Sequence, residues 1–119
     1  MAAPNLKSPT AIVGKTAVAS LSASLAAVLS NSAGSGQALK INTIKAANVA
    51  SSGSVTVSVT HYRSSTHTYQ AKAFTIAAAS ALVMSNRDEF FYLEEGDAIY
   101  AQANATSSVD LTIGYEVIS

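Results

Sequence analysis

The chain of 119 residues contains no cysteine and no tryptophan, and only 12% of its residues are charged. The absence of cysteine excludes disulfides, thiolate metal sites and cysteine nucleophiles. Seven Lys and Arg balance seven Asp and Glu, so no net charge attracts a nucleic acid or an anionic membrane. A surface this poor in charge favours a protein that neighbouring chains hold in place, because low charge reduces the solubility of an isolated monomer.

Proline is also scarce, and no apolar run is long enough to cross a membrane as a helix. Both prolines, Pro4 and Pro9, lie close to the N-terminus, and we expect an N-terminal arm over residues 1–10 and a single domain over residues 11–119. Residues 17–29 follow Lys15 and imitate the apolar part of a signal peptide, but serines interrupt them. We therefore expect a chain that is made and used without secretion.

Apolar residues alternate with polar or small ones in two segments. Residues 54–62 alternate valine with serine or threonine, and residues 109–117 place Val109, Leu111 and Ile113 on one face, the period of a half-buried strand. Further strands are predicted at residues 39–47, 67–76 and 97–103, and weaker ones at residues 10–21, 25–29 and 90–93. Seven or eight short antiparallel strands predict an all-β sandwich or jelly roll. Residues 18–29 also fit one face of a helix, which leaves two interpretations there.

Two groups of residues invite a chemical interpretation. His61 and His67 flank a predicted turn and would give two metal ligands, which is fewer than the three or four that a zinc site needs. Five of the seven carboxylates lie within residues 88–97, but their spacing differs from that of a calcium loop. A carboxylate pair for glycoside hydrolysis would also need a cleft that so small a domain hardly offers. We favour a tight turn in which Gly96 has a positive φ and Asp97 caps the next strand.

Several short segments carry a resemblance to a known family. They lie in the order Met1-Ala-Ala-Pro-Asn5, Gly14-Lys-Thr16, Lys40-Ile-Asn-Thr-Ile44 with Ala47-Asn-Val49, Tyr92-Leu-Glu-Glu-Gly-Asp97 and Tyr115-Glu-Val-Ile-Ser119. In this order they resemble the small virion structural proteins of tailed bacteriophages, especially cyanophages. The resemblance implies a β-sandwich made in the host cytoplasm that assembles on the virion. A decoration, or cement, protein on the capsid surface is the first expectation, with the major capsid protein or other virion proteins as partners and a homo-oligomer, such as a trimer, as its form.

The resemblance and the residue types together predict an interface and no chemistry. Aromatic residues and arginine are enriched where interfaces are strongest, and an apolar arm commonly docks on a neighbour. The predicted interface residues are Ala2, Pro4, Asn5, Leu6, Pro9, Tyr62, Arg63, Phe90, Phe91 and Tyr92. No catalytic, cofactor-binding or metal-binding residue is predicted, and we expect that the protein is not an enzyme. Two alternatives stay open, a neck or tail component of the same virion and a carbohydrate-binding β-sandwich that holds host glycans with exposed tyrosines.

Overall fold

The structure, a computed structural model, describes residues 4–119 and is built almost entirely from β-strands. A single turn of 3₁₀-helix at Arg87–Glu89 is the one helical element among these residues, and no helix in this range can cross a membrane. The strands are β1 (Ile12–Ser20), β2 (Ala26–Ser30), β3 (Ala38–Asn48), β4 (Val55–Arg63), β5 (Thr66–Ile76), β6 (Ala81–Ser85), β7 (Phe91–Leu93), β8 (Ala98–Ala103) and β9 (Val109–Ile118).

The strands form two antiparallel sheets, which confirms the predicted all-β sandwich. Sheet A has the order β1-β9-β3-β6, and the short β7 pairs with β3 beyond the end of β6. Sheet B has the order β2-β8-β4-β5. The last strand, β9, therefore lies in the middle of sheet A, with β1 on one side along its full length and β3 on the other.

Branched aliphatic side chains from both sheets form the core between them. Ile44, Leu111 and Ile113 of sheet A are fully buried, as are Val57, Val59 and Ile99 of sheet B. These residues are alternate positions of their strands, because successive side chains of a strand point to opposite faces. The alternation in residues 54–62 and 109–117 thus predicted the core-facing sides of β4 and β9 correctly. The other side of β4 was expected to face solvent, and this is wrong at Ser58 and Thr60, which are buried as well.

Residues 18–29 form strands and a turn, so the helical alternative is wrong. Val18, Ala19 and Ser20 pair with β9, and β2 pairs with β8. Between them the Ser22 hydroxyl donates to the Ser24 carbonyl at 3.0 Å. The intrinsic helix propensity of alanine is outweighed here by two backbone ladders and by burial of Leu21.

Strand β6 was not predicted, and the described residues contain nine strands instead of seven or eight. Residues 77–81 are rich in alanine, and this hides the alternation of apolar and polar residues by which a strand is recognised. In β6 only Leu82 and Met84 pack against the core, while Ala81 and Val83 face solvent. Two inward side chains are too few to distinguish a strand from a helical turn.

A β-bulge in β3 keeps the isoleucine side chains of this strand on the core-facing side of sheet A. The register of β3 against β9 shifts between Ile41 and Thr43, and the isoleucines on both sides of the bulge, Ile41 and Ile44, still face the core. The Thr43 hydroxyl lies over the neighbouring strand and accepts a hydrogen bond from the Gly114 amide at 3.2 Å. A Cβ atom at position 114 would be 2.7 Å from Thr43 Oγ1, which explains the glycine in an otherwise regular strand.

We predict that Gly114→Ala lowers the free energy of unfolding by about 1 kcal/mol, because the added methyl group overlaps Thr43 Oγ1. Urea unfolding of dilute protein, followed by circular dichroism, measures the change. Gly14→Ala is the matched control on the neighbouring strand, since a Cβ atom there meets nothing within 4 Å. The control should be as stable as the unchanged protein or slightly more so. Equal urea midpoints for the two variants would contradict the proposed constraint.

Candidate functional site

The described part of the arm lies at one end of the sandwich, against the end of β9. The Thr10 amide donates to the Ser119 carbonyl at 2.6 Å, and the Ser119 amide donates to the Ala11 carbonyl at 2.9 Å. Before this anchor the described residues, 4–9, make only a local turn, in which the Lys7 amide donates to Asn5 Oδ1 at 3.0 Å. Asn5 and Leu6 are exposed, whereas Pro4 and Pro9 are half-buried. Ala2 lies outside the described residues.

The arm leads directly into β1, an edge strand with apolar side chains on both faces. Ile12 and Val18 point outward and are exposed. Val13 shares the inner face with the core-facing Ala17 and Ala19, yet it remains 49% exposed. The reason is length, because β1 has nine residues and β2, the edge strand of the opposite sheet, has five. The first half of β1 therefore has no sheet packed against it.

At the same end of the sandwich, Asp97 is the centre of a polar network between β4 and the turn before β8. The Asp97 side chain is only 3% exposed. Arg63 Nε donates to Asp97 Oδ1 at 2.9 Å, and Arg63 Nη2 donates to Asp97 Oδ2 and to Glu94 Oε2, both at 2.6 Å. His61 Nε2 lies 3.0 Å from Asp97 Oδ2. Two side chains of β4 thus bind one carboxylate of the turn.

Backbone hydrogen bonds fix the turn that carries Asp97. The Asp97 amide donates to the Glu94 carbonyl at 2.9 Å, and Asp97 Oδ2 accepts from the Glu94 amide at 2.9 Å. Gly96 has φ of +89°, a value that favours glycine. The buried Asn31 holds the turn from the other side. Its backbone carbonyl accepts from the Gly96 amide, and its side-chain Nδ2 donates to the Leu93 carbonyl. The predicted tight turn with Gly96 and Asp97 is confirmed.

The groups around Asp97 change the pKa of its carboxyl group. Burial acts to raise the pKa of Asp97, but hydrogen bonds from Arg63, His61 and the Glu94 amide, together with the Arg63 charge, lower that pKa to about 2. The hydrogen bond to Asp97 in turn raises the pKa of Arg63 above its already high value. Asp97 is therefore an anion with nearly all its acceptor capacity used inside the fold.

The two histidines lie on opposite faces of sheet B. Across the β4–β5 hairpin, Thr68 pairs with His61 and Tyr62 pairs with His67, so the histidines do not face each other. His67 Nδ1 lies 2.8 Å from the buried Thr60 hydroxyl. No group of three or more potential metal-ligating His, Asp or Glu side chains occurs within residues 4–119.

The predicted aromatic interface residues are divided among three places. Phe90 and Tyr92 contact each other edge to face on the outer side of sheet A, with ring centroids 5.7 Å apart. Phe91 points inward and packs against His61, with centroids 5.6 Å apart. Tyr62 lies on the outer face of sheet B. It contacts the rings of His67 and Tyr100 at 4.8 and 4.9 Å.

A shallow depression of about 360 Å³ lies beside the network. Its lining is polar and consists of His61, Arg63, Ser64, Thr66, Thr68 and Gln70. Within residues 4–119 no serine or threonine hydroxyl is hydrogen-bonded to His61, whose side-chain hydrogen bond goes to Asp97. The charges of Arg63 and Asp97 are directed at each other, so the arrangement binds the turn to β4 more than it presents free charge to a ligand.

Sequence reasoning placed Arg63 at an interface and missed its partner Asp97, 34 residues away in the chain. The turn chemistry identified Asp97 as a cap but carried no information about which strand lies beside it. Comparisons of the chain with protein-family models, with curated proteins and with solved structures gave no match. The interface residues therefore remain predictions.

We predict that acid destabilises the fold specifically through Asp97. In the folded protein its pKa is about 2, against 3.8 without the network, so the unfolded chain takes up the proton first and stability falls as pH falls from about 4 to 2. The contribution that is present above this window and lost within it is about 2 kcal/mol. Urea unfolding at a series of pH values measures it.

Asp97→Asn should be less stable than the unchanged protein at neutral pH and should lack this part of the acid-dependent loss. Asp88→Asn is the matched control, because Asp88 is exposed and belongs to no ion pair among residues 4–119. It should keep the full pH dependence. An Asp97→Asn profile parallel to that of the unchanged protein would contradict the assignment.

Proposed function

We propose that the protein is a structural component of a tailed-bacteriophage virion, and that it decorates the capsid and stabilises the lattice by contacts with the major capsid protein. The resemblance of its short segments to small virion proteins supports the choice of particle. The observation that supports a role in binding other chains is β1, a long and regular edge strand that continues an exposed arm.

The edge strands of the described sandwich differ in how well they are protected. β2 and β6 have five residues each, and each contains a register shift. β5 is long, but its pairing with β4 shifts twice and Ala73 adopts a positive φ of 49°. Short strands and bulges are the usual devices that prevent an edge from pairing with another chain.

β1 is neither short nor bulged, and its nine residues pair with β9 without a register shift. Its one charged side chain is Lys15, on the inner face opposite Tyr115, and a lysine of this kind is the single protective feature of the strand. Its other edge carries backbone amides and carbonyls that no strand among residues 4–119 uses. Such an edge accepts an extended segment of another protein as an added strand, and neighbouring apolar side chains add contact area.

The arm extends this surface beyond the sandwich. It is tied to the fold at Thr10 and Ala11, and the exposed Leu6 lies ahead of that anchor. An arm of this kind loses conformational freedom when it binds, so each contact is weak alone. On a capsid many copies bind at once, and a modest interface per copy sums to a large stabilisation of the particle.

We expect hundreds of copies of the protein in each particle of the phage that encodes it. Quantitative mass spectrometry of purified particles, calibrated against the major capsid protein, measures the number. Exposure of the same particles to high salt shows whether all copies dissociate together, as copies in one class of binding site would. Six, twelve or a few dozen copies would contradict the capsid assignment and favour the neck or tail. Absence from the particle would overturn the proposal altogether.

We also expect that deletion of residues 2–9 reduces occupancy on capsids that lack the protein, while the domain stays folded. This deletion keeps Thr10 and its hydrogen bond to Ser119, so the thermal midpoint should change little. Val49→Ser is the matched control, because it removes an exposed apolar side chain from the loop after β3, at the other end of the sandwich from the arm. Cosedimentation with capsids measures occupancy, and full occupancy of the deletion variant would remove the arm from the mechanism.

A further inference from the structure

The outer face of sheet A is covered at one end, where Ala38 and Ile118 are buried, and is open to solvent beyond that end. It carries a regular pattern across its strands. The registers of β1, β9, β3 and β6 or β7 define cross-strand rows on this face. One row is Gly14–Glu116–Lys40–Tyr92, and a second is Val18–Thr112–Lys45–Val83. Between them lie Thr16, Gly114 and Thr43, which leave the middle of the face flat.

In the first row, positions that are equally far from the centre carry unlike residues. In the first row the largest side chain, Tyr92, lies at one edge and Gly14 at the other, and the central pair is Lys40 with Glu116. The nitrogen of Lys40 is 4.0 Å from Glu116 Oε1, and a Cβ atom at Gly14 would meet nothing within 4 Å. The space above Gly14 is therefore open to a bulky side chain from outside.

In the second row the two edge positions are both valine. Val18 is 77% exposed and Val83 is 59% exposed, the highest values among the large apolar side chains of the described residues. They lie at opposite edges of one sheet, in the same row, and neither is part of the hydrophobic core. Isolated exposed valines need no explanation, but these two occupy equivalent positions at opposite ends of one row.

A two-fold axis parallel to the strands, between β9 and β3, exchanges the two halves of every row. If a second copy packs on this face about that axis, its β3 lies over β9 and its β6 edge lies over β1. Val83 of the copy then covers Val18, and Lys40 of the copy faces Glu116. Tyr92 of the copy enters the space above Gly14. Each of these contacts occurs twice, as a two-fold interface requires.

We propose that a second copy of this chain binds face to face on the outer surface of sheet A about this two-fold axis. A second copy is the expected occupant because rotation about this axis places opposite charges against each other, a large side chain against a small one, and apolar side chains in contact. Lys45 of the second copy also lies one row from Asp110, about 7 Å along the strand, so a further pair of opposite charges supports the same arrangement. Sheets with small side chains commonly pack with nearly aligned strands.

The size of the face sets the expected strength. Four strands are about 19 Å wide and nine residues about 30 Å long, which gives roughly 570 Å² per copy and 1,100 Å² in total. Specific interfaces begin near this size. We therefore expect a weak dimer with a Kd of about 10–100 µM. β1 keeps its free edge in this dimer, so the contact is compatible with strand addition and independent of it.

Sedimentation velocity of the full chain over a range of concentrations tests the proposal. The unchanged protein should pass from monomer to dimer, and salt should shift the equilibrium toward monomer because charge pairs are screened. Lys40→Glu and Glu116→Lys should each raise the Kd roughly tenfold or more, since each places two like-charged pairs in the interface. Lys72→Glu, on β5 of the other sheet, is the matched charge-reversal control and should leave the Kd unchanged.

The decisive measurement is the mixture of the two reversed variants. In a heterodimer of Lys40→Glu with Glu116→Lys, the introduced carboxylate of one copy faces the introduced amine of the other. The remaining pair is the unaltered lysine and glutamate, so both pairs attract. The mixture should dimerise where neither variant does alone. Val18→Lys should also weaken the dimer, whereas Val49→Lys, at an exposed loop valine, should not. Thermal unfolding confirms that each variant is folded.

A monomer at all concentrations up to about 1 mM, a trimer, or a mixture that stays monomeric would overturn the proposed dimer. These results use the isolated protein and do not depend on a virus particle. The copy number on the virion tests the proposed function separately, so a failure of one can be distinguished from a failure of the other.

Discussion

The hydrogen-bonded register of β9 with β1 and β3 decides which side chains of sheet A enter the core. Because side chains alternate along a strand, a slip of one residue would turn Leu111 and Ile113 toward solvent and Thr112 and Gly114 toward the core. The bulge in β3 is part of the same constraint, since it absorbs one residue and returns Ile44 to the inner face. The close contact of Thr43 with Gly114 sits at this bulge and ties the two strands where the pairing is irregular.

In the opposite sheet, charged hydrogen bonds join β4 to the turn before β8. Asp97 accepts hydrogen bonds from two β4 side chains and from its own turn. These bonds close the end of the sandwich where β4 extends as a hairpin beyond the core. The desolvation cost is offset because the carboxylate is fully partnered, and Arg63 keeps half of its side chain in water. The same end of the sandwich holds the hydrogen bonds that anchor the arm. The polar network around Asp97 and the exposed apolar surface of the arm and β1 therefore lie close together.

Much of the fold was predictable because alternation is a local property. Residues 54–62 and 109–117 carry it clearly, and their strands and buried faces follow from the sequence. β6 was hidden by alanines that fit a strand and a helix equally well. The network around Asp97 and the rows of sheet A depend on which strands become neighbours. The paired residues are between 34 positions (Arg63 and Asp97) and 102 positions (Gly14 and Glu116) apart, and such pairing leaves no trace in local pattern. Turn residues such as Gly96 were recognisable, but their long-range partners were not.

The position of β9 also affects the order in which the molecule can fold as it is synthesised. β1 leaves the ribosome about 90 residues before β9, which is its partner in the described part of sheet A and spans Val109–Ile118. Until those residues emerge, both edges of β1 and one edge of β3 are unpaired, and the apolar faces of β1 are accessible to other nascent chains. Long-range pairing of this kind slows folding and prolongs exposure. A chain that is interrupted before residue 109 would therefore lack the centre of sheet A.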